Sequence, residues 1–472
     1  MLLARQLGIG LDDMFQYDML ARSLASGNGF RWYAPADLAR LAPYLHLNLA
    51  TLTLDPRGML TTFRAPLYPA FLAIIYYCNG INADRFFAAR LAQTVLGALL
   101  APLTYFTATL LLPPNSKNLM EQDGDEDEKA AKISAWIVAV YPMFLIFPLA
   151  LATENLFFLL VLASALALLK LAHRLRFPIP DSRLTISYSL LSGFLLGLAA
   201  LTRSIILLFA ALAILWIWFI LKQRRGAILA ALALIITIMP WIVRNSLIEH
   251  KLTDIETSLG YNLYVGYHPQ SSGTFTFGPS LDLMSILDDK TRDEVGTQKA
   301  IQFIEQDPAR FPVLAINRLG YFFDVEWRAF TYFYVNDYLG YVPTVLLILI
   351  LAILALPFMA IAVSAAYGSA LLSWNPQTIL LALLFIGYLL PHVLILSEER
   401  FHLTLIPFFA MLAAGFWTNG TSALKTRCRL AIAISSLVVL LLLVNWGFEL
   451  AHSGNVILQI LGPNGNQLYL PY

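Results

Sequence analysis

Long apolar runs separated by short charged connections constrain this chain more than any single motif does. A bilayer core about 30 Å thick takes about 20 mostly apolar residues per helical crossing. Stretches of that kind lie near 87–112, 133–152, 155–171, 187–202, 204–221, 226–243, 341–365, 378–396, 402–417 and 429–446. Residues 187–221 form one apolar run broken only by Arg203. As a single helix that run would be about 52 Å long, so the length predicts a hairpin turning at Arg203. Glu154 divides the run from Ile133 to Leu171 in the same way. The expected fold is an all-α polytopic membrane protein, with about ten transmembrane helices, interfacial helices and a folded outer loop. Composition agrees, since 58% of the residues are hydrophobic and 13% charged, against about 45–50% and about 25% in soluble domains. With 31 Lys and Arg against 30 Asp and Glu, no basic face for nucleic acid is implied. Cys78 and Cys428, the two cysteines, exclude a disulfide framework.

The stretch 66–80 (PLYPAFLAIIYYCNG) is shorter and holds two prolines, which predicts an interfacial or re-entrant segment rather than a span. Loops of one parity carry Lys117, Lys129, Lys132, Lys170, Arg174, Arg176, Arg183, Lys222, Arg224, Arg225, Lys425, Arg427 and Arg429, whereas the short loops of the other parity carry only Arg203 and Arg400. By the positive-inside rule the first set is cytoplasmic, and the acidic run 121–128 (EQDGDEDE) is then a solvated cytoplasmic loop. The expected organisation is a first outer loop over 1–86, an N-terminal bundle over 87–243, a large outer loop over 244–340, C-terminal transmembrane helices over 341–446, and an outer tail over 447–472. The start, MLLARQLGIGLDD, is not a secretory signal, because its apolar run is too short. Carrying residues 1–86 across the membrane is therefore expected to need a helix ahead of Met1, a different start, or insertion driven by the span at 87–112.

This placement gathers isolated charges at the outer interface, where ionisable groups suggest function. Met14 to Leu24 reads as a short helix, for which Asp12 or Asp13 would serve as the N-cap. Two adjacent carboxylates exceed what a cap requires, and an ionised one could take a proton from an attacking hydroxyl. Arg64, Arg203, Arg244 and Arg400 either snorkel to headgroups or together form a fork for phosphate oxygens. Glu154 either pairs with an arginine from elsewhere or acts as a second acid. The segment 258–275 (SLGYNLYVGYHPQSSGTF) offers amides, hydroxyls and rings, Asn262 and Tyr264 among them, that suit a sugar and equally suit an inert loop. His268 has no second ligand at metal spacing beside it. No phosphate-cradling glycine loop is present.

Taken in order, these elements resemble the GT-C class of polytopic membrane glycosyltransferases, close to the family 39 protein mannosyltransferases and the bacterial transferases that modify lipid A. DDMFQYDMLARSLASGNGF (12–30) is similar to their Asp-x-x-x-Tyr-Asp-x-x-Ala-x-x-Leu-x-x-Gly-x-Gly pattern, with Asp13, four residues before Tyr17, at the catalytic aspartate. FRAPLYPAFLA (63–73), which holds Arg64 and Tyr68, resembles the Arg-x-Pro-Leu-Tyr-Pro element. ARLAQTVLGAL (89–99), ATENLFF (152–158), LTRSIILL (201–208), PWIVRNSL (240–247), GYNLYVGYHPQSSGTF (260–275) and ERFHLTLIP (399–407) complete the series.

The resemblance implies transfer of a sugar from a polyprenyl-phosphate donor to a lipid, glycan or protein acceptor on the extracytoplasmic face of the plasma (inner) membrane, with inversion. Asp13 would be the general base and Glu154 would position the acceptor. Arg203, Arg244 and Arg400, with Arg64, would hold the leaving phosphate, while Asp12, Tyr17, Tyr68, Asn262 and Tyr264 would contact substrate. No metal or other cofactor is obligatory on this reading, although a divalent metal is compatible with it. The competing readings are an oligosaccharide ligase using a polyprenyl diphosphate donor, a transporter or flippase of lipid-linked sugars, and a structural scaffold.

Overall fold

The computed structural model describes residues 7–10, 12–45, 55–112, 124–175 and 182–468. Lys117 and Arg176, two of the orienting basic residues, lie outside them. Before the first apolar run, the chain folds as α1 (Asp13–Ala25), β1 (Arg31–Trp32), α2 (Pro35–Leu45), β2 (Met59–Leu60), which pairs antiparallel with β1, and α3 (Leu67–Asn79). Gly58 allows the close approach of β2 to β1. Its φ is +90°, and a Cβ there would stand 2.4 Å from the carbonyl oxygen of Trp32. The 13 residues of α3 reach only about 20 Å, which agrees with a segment that does not cross.

The protein is an all-α polytopic membrane protein. Among the described residues, eight helices are long and apolar enough to span, or nine if a bent pair counts as one span. α4 (Arg85–Ala98) and α5 (Leu100–Leu111) run together as one span. α6 (Gly124–Val140) meets α7 (Pro142–Ile146), with a 3-10 turn over Phe147–Leu149, at a 48° bend. α8 (Glu154–Arg174) and α9 (Ser182–Thr202) follow, then a 3-10 turn (Ser204–Ile206), α10 (Leu207–Phe219) and α11 (Arg224–Ile248). The segment between the two transmembrane groups folds as α12 (Leu259–Tyr267), α13 (Phe277–Asp282), α14 (Asp289–Gln306), α15 (Arg310–Phe322) and α16 (Arg328–Val335). α17 (Thr344–Leu371), α18 (Pro376–Leu394), a 3-10 segment (Glu399–Leu405), α19 (Ile406–Asn419) and α20 (Arg429–Ile460) complete the chain.

Nine of the ten apolar runs fall on helices long and apolar enough to cross, counting the bent pair as one span, and the tenth, 204–221, falls on a shorter apolar helix; the chain breaks at Arg203, whose backbone is extended at φ −150°, ψ 114°. Two boundaries differ from the sequence reading. Helix α6 begins at Gly124, inside the acidic run read as a loop, because acidic side chains suit the positive end of a helix and Glu128 pairs with Lys132 one turn on at 2.7 Å. Helix α20 continues to Ile460, past the tail boundary at 447, since no proline interrupts the stretch after Gly447 until Pro463.

α8 and the unit Glu399–Asn419 are the most enclosed spans, and α20 is the least. Helices approach closely where side chains are small. A Cβ on Gly193 of α9 would lie 2.0 Å from the carbonyl oxygen of Ala230 on α11, and one on Gly368 of α17 would lie 2.0 Å from that of Leu412 on α19. The two central spans, α8 and α19, thus stand as pillars, and both begin at the same end of the bundle.

Candidate active site

Five sequence-distant segments meet at that end. Asp12 caps α1, its Oδ1 accepting from the amide of Met14 at 2.8 Å. This frees Asp13, the first residue of the helix, from the capping role. Asp13 pairs with the Arg64 guanidinium, which also donates from Nε to Gln16 Oε1 at 2.9 Å. Arg64 lies against the rings of Tyr17 and Phe63, at 5.3 and 5.1 Å. Glu154 opens α8, where a carboxylate suits the helix dipole, and accepts from the Thr153 hydroxyl at 3.0 Å. Arg203, in the hairpin turn, makes an ion pair with Glu154 at 2.5 Å. Arg400 reaches Asp13 and Glu154 at 3.7 Å each and Glu398 at 2.7 Å. Asp13, Glu154, Arg64, Arg203 and Arg400 therefore form one connected charged centre.

The electrostatics are tightly balanced. Burial acts to raise the Asp13 pKa, but the guanidinium groups of Arg64 and Arg400 outweigh it and hold the carboxyl below its ordinary value. Asp12 moves the other way, raised by burial and by the charge of Asp13. Arg64 is held charged by Asp13 against the cost of its own burial. Asp13 still keeps 39% of its side-chain surface open, against 4% for Glu154. The geometry thus provides an ionised, accessible carboxylate beside guanidinium groups whose contacts with it differ in closeness.

Other candidates fall elsewhere. Tyr17 and Tyr68 are buried beneath the centre, edge to face at 5.1 Å, and the Tyr68 hydroxyl pairs with Gln93 at 2.6 Å. Arg244 is engaged with the carbonyl oxygens of Thr61 (2.6 Å) and Phe30 (3.3 Å) and with Asn245 Oδ1 (2.8 Å). It braces the β1–β2 pair from the last turns of α11. Tyr264 donates to Asp282 at 2.8 Å and packs on Phe303 within the α12–α14 unit, and Asn262 lies on the same short helix. The structure does not bring these three side chains into contact with Asp13 or Glu154 through any of the interactions above.

The sequence reading missed several groups. Gln16 shares Arg64 with Asp13, and Glu398, next but one to Arg400, is its closest acid. Glu256 accepts from the Ser204 hydroxyl at 2.5 Å beside Arg203, and the Tyr332 hydroxyl donates to Asp12 at 3.1 Å. Glu398 was readable, because the sequence Ser-Glu-Glu-Arg sets it beside the arginine. Glu256 sits in a polar segment and Tyr332 on an aromatic-rich helix, neither with a local signal.

No protein-family model matches the chain. No curated protein matches it either. Among solved structures it is similar to the apo oligosaccharyltransferase of Archaeoglobus fulgidus, at 14% identity and TM-score 0.47, over 98% of this chain and 57% of that one. A second similar structure is the archaeal oligosaccharyltransferase AglB from Archaeoglobus fulgidus in complex with an inhibitory peptide and a dolichol-phosphate (16% identity, TM-score 0.41, 98% of this chain and 56% of that one). A third is ArnT from Cupriavidus metallidurans bound to undecaprenyl phosphate (11% identity, TM-score 0.38, 100% of this chain and 82% of that one). The chain spans little more than half the length of the oligosaccharyltransferase chains. At these levels the likenesses assign no role to any residue, and the charged centre stands on this chain's own geometry.

Proposed function

We propose that the chain is a membrane glycosyltransferase that moves a sugar from a polyprenyl-phosphate donor to an acceptor hydroxyl on the extracytoplasmic face, with inversion at the anomeric carbon. The convergence of Asp13 and Glu154 with Arg64, Arg203 and Arg400 is the observation that carries this reading. In the reaction, the acceptor oxygen attacks the anomeric carbon and its proton passes to Asp13. The bond from that carbon to the phosphate oxygen breaks, leaving the polyprenyl phosphate with one more negative charge. Charge thus moves from the base to the leaving group, and preorganised guanidinium groups stabilise it best in a site with little water.

Arg64 holds Asp13 in place. Arg400 is the guanidinium best able to offer its terminal nitrogens to a phosphate, because its close contact, with Glu398, is made through Nε and its Nη2 contact with Asp13 is long. Glu154 holds Arg203 and orients the acceptor. Asp13 is a weak base, being held below its ordinary pKa, so proton transfer comes late, once the new bond has made the acceptor oxygen acidic. Arg244 holds the paired β1 and β2 strands.

Release of polyprenyl phosphate tests the proposal. Purified protein incubated with a panel of polyprenyl-phosphate sugars and candidate acceptors is expected to release lipid phosphate from at least one, followed by mass spectrometry. Movement of intact lipid-linked sugar across a vesicle membrane, with no release, would replace transfer by transport. The outer placement has its own test. α8, α10 and α19 all begin at the charged centre and lead towards basic loops. With the exposed Cys78 and Cys428 replaced by serine, a cysteine at exposed Ser272 is expected to react with an impermeant thiol reagent outside intact cells, and one at exposed Arg174 is not. The reverse labelling would put the centre in the cytoplasm.

A further inference from the structure

Two residues beyond Arg400 lies a buried polar pair that the proposed reaction does not use. His402 and Glu326 are 0% and 1% exposed, with Nε2 2.7 Å from Oε1. The other ring nitrogen, Nδ1, is 2.7 Å from the carbonyl oxygen of Phe322. A carbonyl can only accept, so Nδ1 carries a hydrogen, and the Nε2 contact then needs one further proton shared with the carboxyl. The imidazole is thus tied at both edges, and its face is stacked on Phe358 with centroids 4.1 Å apart and planes 10° apart. One turn earlier, Glu399 accepts from the Arg328 amide at 2.9 Å. The Tyr388 hydroxyl contacts the carbonyl oxygen of Phe401 at 3.1 Å and the Thr404 hydroxyl at 2.9 Å.

The backbone between these ties is the 3-10 segment Glu399–Leu405. With 3.0 residues per turn, positions three apart eclipse one another. Glu399 and His402 therefore share one face, anchored to the segment 322–328, while Arg400 leaves from another face towards Asp13 and Glu154. The geometry points to Glu326, Glu399 and His402 as positioning residues that clamp this turn and thereby set the place of the Arg400 guanidinium for the anionic group of the substrate. The inference deepens the lipid-phosphate reading, on which its binding test rests. Stability alone does not account for the pair, since well-packed apolar replacements of a buried ion pair are often neutral or stabilising.

That separation gives the experiment. The double variant His402→Phe with Glu326→Met is expected to unfold at or above the wild-type temperature. Its affinity for undecaprenyl phosphate in nanodiscs is expected to fall about tenfold, the scale of removing one charge-assisted hydrogen bond, towards that of Arg400→Ala. Wild-type affinity in the stable double variant would overturn the clamp. If the double variant does not fold, His402→Gln carries the same measurements. If the wild type does not bind the lipid phosphate, or Arg400→Ala binds it equally well, the phosphate reading falls at Arg400 and the clamp is judged separately. Amide exchange over residues 399–405 of the double variant then decides, with exchange about tenfold faster sustaining the clamp and unchanged exchange ending it.

Discussion

Replacing Asp13 with asparagine is expected to lower sugar transfer by about 10²–10⁴-fold, the usual scale of a general base, with the amount of folded protein unchanged. The fold should tolerate the change because Asp12 makes the capping bond and Arg64 keeps Gln16 as a partner. Undiminished turnover from a labelled prenyl-phosphate sugar pool would remove Asp13 from the chemistry. The pH profile supplies a second readout. Burial raises the Asp13 pKa, Arg64 and Arg400 lower it by more, and the folded value lies below the ordinary one, which is about 3.9. Its ion pairs thus support folding above that ordinary value, and the support is lost as pH falls through the depressed folded value. The acid limb of kcat/KM should likewise lie below about pH 4, and a limb near neutrality would point to another base.

The second large effect concerns stability. Arg203 and Glu154 meet at 2.5 Å with side-chain exposures of 19% and 4%, so neither charge is well solvated. Removing one partner should cost about 3–5 kcal/mol, because the other is left buried. Arg203→Met is expected to be the more damaging single change, since Glu154 would keep the Thr153 hydroxyl but, of its ion pairs, only the longer one with Arg400. Glu154→Gln leaves Arg203 its contact with the Phe401 ring, at 4.9 Å. Changing both together should recover much of the stability while activity remains abolished. Thermal unfolding of the three variants in one detergent measures the coupling, and additive losses would mean that the two side chains do not depend on each other.

The helices were legible because crossing a bilayer imposes a length and a hydropathy that local sequence cannot hide. Arg203 and Glu154 marked turns for the same reason, each being a lone charge in an apolar run. What was illegible depends on contacts between distant segments. Nothing near Arg244 says that the carbonyl oxygens of Thr61 and Phe30 will reach it, and nothing near Tyr332 says that it will meet Asp12. Glu154 was readable as an acid needing a partner, but the choice of Arg203 required the packed bundle. The pair of adjacent aspartates divided its duties, one capping and one left open, in a way that only the backbone geometry of α1 resolved.

The hairpin that turns at Arg203 is short on its second arm. α10 has 13 residues and the 3-10 turn before it three, together about 26 Å, less than a hydrocarbon core of about 30 Å. A span that short is expected to draw Arg203 towards the hydrocarbon, where a lone guanidinium is expensive. Glu154, on the preceding α8, supplies the countercharge. Docking of the hairpin against α8 and formation of this ion pair are therefore expected to occur together.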